Sequence, residues 1–292
     1  MSEALARAWI ALINTMAGWP VAVRTRLANL VGDLLWLLIR PRRRITLANL
    51  RACFPQMTEE ERRAVGSRLA RNIARSVLDH AVLWRGSREA VEALVRVEGA
   101  EHVLDPANRP LILLAPHFVG LDAGGLRVNT LVRGVSIYAR QSNAAWDAQL
   151  LAGRQRFNDP VLIPRRGASE LKEVLRAMKA GLPFYYLPDM DNGPINSIFV
   201  PFFGVPAATI PMVSRLARVN GARVVMSVTE MTDDGYVLHF EAPWRDFPGA
   251  SVEEDTERMN REIERWVKRL PDQYLWTHKR FKTRPPGSPP VY

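Results

Sequence analysis

Apolar and polar positions follow two rhythms along this chain, and the switches between them predict the elements. Beyond Glu98–Gly99, short apolar runs of strand length occur at 111–115 (LILLA), 135–139 (VSIYA), 161–163 (VLI), 183–188 (PFYYLP), 223–231 (RVVMSVTEM) and 236–242 (YVLHFEA). Helical spacing fills the intervals near 144–157, at 168–180, near 209–220 and at 252–269. Strands alternating with helices predict an α/β sheet. Further upstream, Phe54–Pro55 reads as a turn, and Thr58 with the acidic residues behind it reads as the N-cap of a long helix. His80 lies on that helix beside Asp79 and reads as structural.

The first fifty residues have a different character. Ala8–Val23 is a charge-free run of 16 residues, short of the roughly 20 needed to span hydrocarbon, and Pro20 interrupts its helix. Leu27, Leu30, Leu34 and Leu38 then recur on one helical face. Eight arginines stand in residues 1–51 against Glu3 and Asp33, a local net charge of +6 out of +10 for the chain. Two amphipathic helices are therefore expected at a bilayer surface, with Trp9, Trp19 and Trp36 at interface depth and Arg40–Arg44 against anionic headgroups. The other reading is a helical hairpin packed on the protein's own core. The domain expectation is a membrane-associating arm at 1–44 and a catalytic domain at 45–292. No small-residue cleavage site follows the apolar run, so a cleaved signal peptide is not expected.

At 292 residues and 47% hydrophobic content, the chain can bury a sizeable core. Cys53 is its one cysteine, which excludes an internal disulfide framework and cysteine-based zinc sites. The positive charge suits polyanionic partners, but no RNP or zinc-finger pattern supports nucleic acid, and the apolar arm argues against it.

Two stretches carry candidate chemistry. His117 directly follows the run at 111–115, at the carboxyl end of a strand, where open α/β sheets place ligands; Asp122 follows five positions on. A carboxylate at Asp122 could accept from Nδ1–H and leave Nε2 to take a proton from a bound hydroxyl. The absence of a G-x-S-x-G elbow, a Walker A loop and an H-E-x-x-H helix disfavours a covalent acyl-enzyme or a zinc hydrolase, so the nucleophile is expected on the substrate. The second stretch is Asp189-Met190-Asp191 after the run at 183–188. An EF-hand would need Glu where Val200 stands. An Asp-x-Asp could instead hold a divalent metal and a nucleotide-sugar diphosphate, which leaves a metal-dependent glycosyltransferase open, or it could be a capped turn whose acids anchor arginines.

The ordered set NLRACFP, HFVGLD, ARQSN, GRQRF, PDMDNGPINSIFVPFFGVPAAT and YLWTHKRFKTRPPG resembles the lipid A biosynthesis acyltransferases that act late, on Kdo-bearing precursors. The resemblance runs from about residue 45 to the C-terminus. It implies a glycerol-phosphate-acyltransferase-like mixed sheet flanked by helices, with His117 and Asp122 as the H-x(4)-D/E pair. The implied reaction passes a fatty acyl group from an acyl carrier protein thioester to a hydroxyl of a lipid A precursor, with no cofactor and no metal, at the cytoplasmic face of the inner membrane. Arg154 and Arg156 match the family's G-R-x-R segment and become site candidates. Arg140, Arg165 and Arg166 are further phosphate contacts, and Asp189, with Asp191 beside it, would anchor a site arginine. Phe199–Gly204 could wall an acyl chain or belong to the core. Family members commonly carry Glu where Asp122 stands and Gln or His where Met190 stands, and related enzymes acylate other membrane lipids.

Overall fold

The computed structural model describes residues 2–166 and 169–292. Helices α1 (Glu3–Thr15), α2 (Val21–Leu38) and α3 (Arg40–Cys53) precede the long α4 (Glu59–Arg85). Thr58 caps α4 as expected: its hydroxyl accepts from the Glu61 N–H, and the Glu61 carboxylate accepts from the Thr58 N–H. Next come α5 (Arg88–Leu94), β1 (Val95–Glu98), α6 (Glu101–Leu104), β2 (Leu111–Leu114), α7 (Leu121–Leu131), β3 (Val135–Tyr138), α8 (Ala144–Arg154) and β4 (Val161–Pro164). The chain continues through α9 (Ser169–Lys179), β5 (Phe184–Tyr186), β6 (Ile198–Phe202), β7 (Val205–Thr209), α10 (Met212–Asn220), β8 (Arg223–Thr232), β9 (Gly235–Phe240) and α11 (Val252–Arg269). Residue 168, expected to open the helix that α9 forms, lies outside the described residues.

The expected α/β sheet is mixed and mostly parallel, with seven strands in the order β1-β9-β8-β2-β5-β3-β4. The antiparallel step is β8 to β9; β8, β2, β5, β3 and β4 run together, so their carboxyl ends share one edge. Every residue of β2 is buried, as a central parallel strand covered on both faces requires. Helix α7 lies so close to β8 that a Cβ at Gly124 would run into the Thr229 hydroxyl. Strands β6 and β7 form a separate antiparallel hairpin. Within it Phe202 is core, as one of the two readings of Phe199–Gly204 expected, and Phe199 faces out.

Helix α2 packs along α4, and of the leucine stripe only Leu27 packs against the core. Arg24, Ala28 and Gly32 are buried, and a Cβ at Gly32 would collide with the backbone of Arg71 on α4. Leu30, Leu34 and Leu38 point away and remain 70%, 54% and 67% exposed. Packing on the chain's own core is thus one fate of the arm, and it leaves the apolar stripe uncovered. Among the described residues no helix is long and apolar enough to cross a membrane.

A buried ion pair fastens this seam. Arg24 is 2% exposed and donates to Asp79 at 2.7 Å; Asp79 also accepts from the Tyr236 hydroxyl at 2.8 Å and lies 3.5 Å from Arg75. His80, beside it, donates Nδ1–H to the Ser76 carbonyl at 2.8 Å, and its ring lies 4.9 Å from that of Trp84. Removing one partner of a buried pair leaves an uncompensated charge, so Arg24→Met should lower unfolding stability by about 3 kcal/mol in denaturant titration. An effect below about 1 kcal/mol would mean that α2 is not fastened by this pair.

Candidate active site

Strand register brings the site together. In the β2–β5 pair, Leu114 stands beside Tyr186, and the Ala115 N–H donates to the Tyr186 carbonyl at 2.8 Å. Three residues beyond each of these partners come His117 and Asp189. The His117 backbone N–H donates to Asp189 Oδ2 at 3.0 Å, and Nδ1 meets Asp189 Oδ1 at 2.7 Å. The carboxylate therefore accepts Nδ1–H and leaves Nε2 as the ring's acceptor. Asp189 is 3% exposed. Burial pushes its carboxyl up, but the His117 charge and hydrogen bonds from His117 and Tyr274 outweigh that and bring it down to about 2.

The C-terminal segment forms the other wall. Val119 N–H donates to the Gln273 carbonyl and Leu275 N–H donates to the His117 carbonyl, both at 2.8 Å, which fixes the turn from β2 into α7. The His278 ring lies 5.4 Å from the His117 ring, with Nδ1 against Met190 sulfur. Burial and the neighbouring His117 charge hold His278 down at about 4, so it is neutral at pH 7. His117, Asp189, Met190, Tyr274 and His278 line one small recess. Tyr274 and His278 were missed as site residues because both lie inside a segment useful only for its resemblance. The remaining signal was a second histidine close to a run of cationic residues.

Asp122 does not orient His117, which corrects the expected pairing. It sits in the first turn of α7, and the turn before that helix carries it toward α8 and α4. There Arg154 donates to it at 2.6 Å, and His80 Nε2 lies 3.4 Å away. Burial pushes this carboxyl up, but the Arg154 charge and His80 overcome it and hold it well below the usual range. Arg154 thus anchors on Asp122, not on Asp189. Asp122 and Arg154 both line a mostly apolar slot of about 80 Å³ between α7 and strands β3, β4 and β5.

The other candidates disperse. Arg156 donates to the carbonyls of Leu83 and Gly86 at the end of α4, a structural tie. Arg140 is exposed after β3, Arg165 is exposed and donates to Asn192, and Arg166 is exposed after β4. Asp191 accepts from the Thr283 N–H at 2.6 Å, from the Thr283 hydroxyl at 2.8 Å and from the Gly193 N–H at 2.9 Å. The two acids of the Asp-x-Asp therefore serve different partners and do not converge as a shared chelate. Among the described residues, no three His, Cys, Asp or Glu side chains gather in a way that could hold a metal ion.

The family model for bacterial lipid A biosynthesis acyltransferases matches residues 1–283. The chain belongs to that family. It is an acyltransferase. It is 31% identical over 98% of its length to the lipid A biosynthesis lauroyltransferase of Escherichia coli K12, covering 95% of that protein. The lipid A biosynthesis myristoyltransferase of the same strain is 30% identical, over 96% of this chain and 88% of its own length. Among solved structures, the 1-acyl-sn-glycerophosphate acyltransferase of Thermotoga maritima overlays 87% of this chain and 99% of its own at 15% identity and a TM-score of 0.41, too loose to fix residue roles.

The arrangement leaves His117 Nε2 able to accept a proton, with the ring's tautomer set by a buried carboxylate. The neighbouring His278 and Asp189 also set an acid limit. Both groups sit below their unfolded values, so the unfolded chain binds more protons in each window. Stability is lost as pH falls from 6.5 through about 4 for His278, and from the ordinary carboxylate range through about 2 for Asp189. His278→Gln should flatten the fall in melting temperature between pH 6.5 and 4; an unchanged slope would show that His278 is not the group responsible.

Proposed function

We propose that this chain transfers a fatty acyl group from an acyl carrier protein thioester to a hydroxyl of a lipid A precursor. The observation that carries the reading is the His117–Asp189 pair at the carboxyl edge of the sheet, with no hydrogen-bond partner for Nε2 among the described residues, in a chain of this family. His117 Nε2 takes the proton of the acceptor hydroxyl as its oxygen attacks the thioester carbonyl, and Asp189 stabilises the imidazolium. Collapse of the tetrahedral intermediate expels the thiolate, which recovers the proton. A donor must meet the oxyanion, a role we assign to Arg154, which Asp122 holds. No cofactor enters this scheme, and the acyl thioester is a co-substrate.

The membrane reading is part of the same proposal. Leu30, Leu34, Leu37 and Leu38, with Trp9 and Trp19, stand exposed on an arm rich in arginine. That face suits the cytoplasmic surface of the inner membrane, with the chain lying on it and not across it. High salt should leave the protein on membranes and detergent should release it, because apolar burial survives screening. Recovery in the soluble fraction at moderate salt, without detergent, would count against this.

The direct test is product formation from an acyl carrier protein thioester and a lipid A precursor, followed by mass spectrometry. One added acyl chain is expected, with turnover insensitive to EDTA. His117→Ala and Asp189→Asn should each lower kcat by about 10²–10⁴-fold, the second through the lost imidazolium partner. Asp122→Asn should lower it through Arg154, and Asp122→Glu should keep part of the activity. Near-normal turnover in folded His117→Ala protein would defeat the mechanism, and transfer only to a different membrane lipid would move the acceptor.

A further inference from the structure

A second cavity adjoins the site, and it joins Arg42 and Arg43, expected against anionic headgroups, to residues of the C-terminal segment. A cleft of about 650 Å³ lies between α2, α3, α4 and the segment from Thr277 to Lys282. Met190 and His278 line both this cleft and the recess that holds His117, so the two adjoin. One wall is apolar, built from Leu35, Trp36, Ile39 and Ile73. Four cations surround the rest: Arg42, Arg43, Lys279 and Lys282.

Their contacts hold these cations in place without neutralising them. Arg42 donates to the Thr277 carbonyl at 3.1 Å, Arg43 to the Trp36 carbonyl at 3.1 Å, and Lys282 to the Asp191 carbonyl at 3.4 Å. Arg43 and Lys279 also lie over the rings of Trp36 and Tyr292. Among the described residues none of the four forms an ion pair with a carboxylate. The one acid in the wall, Asp191, has its carboxylate taken up by Thr283 and Gly193. Like charges gathered in a concave, partly apolar site raise the local potential and favour a polyvalent anion.

We infer that this cleft is the phosphate subsite of the acceptor, taking the phosphorylated head of an amphiphile on Arg42, Arg43, Lys279 and Lys282. The apolar wall takes the start of its chains, and the outward leucines of α2 lead from that wall. This rests on the acyltransferase reading and gives it a place for the acceptor. An acidic protein surface is the less suitable occupant, because these cations ring a cleft with an apolar wall instead of standing on an open face. Arginine forks and lysine points suit phosphate oxygens.

The test reads binding without turnover. The full chain in neutral detergent micelles is titrated with phosphatidic acid, with diacylglycerol of the same chains, and with inorganic phosphate. Phosphatidic acid should bind at least tenfold tighter than diacylglycerol, and inorganic phosphate should compete only weakly. Arg42→Gln/Lys279→Gln should remove that difference. Arg261→Gln/Lys268→Gln, which loses the same charge on α11, should keep it. Should the first double variant fold poorly, Lys279→Gln/Lys282→Gln asks the same question. A phosphate preference that persists in folded variants overturns the subsite, as would a raised KM for the carrier thioester with lipid binding unchanged, which would make the patch a protein dock. Selective binding in a chain that shows no acyl transfer would keep the subsite while defeating the proposed reaction.

Discussion

The pairing of β2 with β5 is the constraint on which the site depends. Parallel neighbours present their carboxyl ends side by side, so a histidine and an aspartate at equal steps beyond Leu114 and Tyr186 must meet. The register is held by buried side chains on both faces of β2, and a slip would turn that whole set around. Placement of the His117–Asp189 pair thus comes from a fully buried strand, and the loops that follow are tied down by Gln273 and Leu275.

How legible the chain was depends on how local each signal is. The strands β2, β3, β4, β5, β8 and β9 announce themselves as apolar runs, because a buried parallel strand has no polar face to confuse with a helix. β1 was missed because Val95–Glu98 carries two charges in four residues beside a helical pattern. The β6–β7 hairpin was missed because Pro201 and Pro206 argue against strands; they face each other in a pair outside the main sheet, where a missing N–H is tolerated.

The same distinction governs the site. His117 is legible from its position after a strand. Its partner is not, since spacing along the chain points to Asp122 while strand pairing brings in Asp189 from 72 residues away. The arginines failed for a related reason: a basic side chain read alone gives no hint of whether a carbonyl at a helix end has already claimed it, as happens at Arg156. The cations that do cluster come from opposite ends of the chain, Arg42 and Arg43 from α3 and Lys279 and Lys282 from the C-terminus, which no window of sequence joins.

The inverted helix α2 has a mechanical meaning. A flexible tether would let a catalytic domain bob at varying heights above a bilayer. Here the leucines that could enter lipid and the histidine proposed as base belong to one packed body, because Arg24 and Gly32 hold the opposite face of that helix to α4. If the leucines settle in lipid as proposed, their depth would dictate how far an acceptor must rise out of its leaflet to be reached. On the proposed membrane reading, the helix would serve as a depth gauge as well as an anchor.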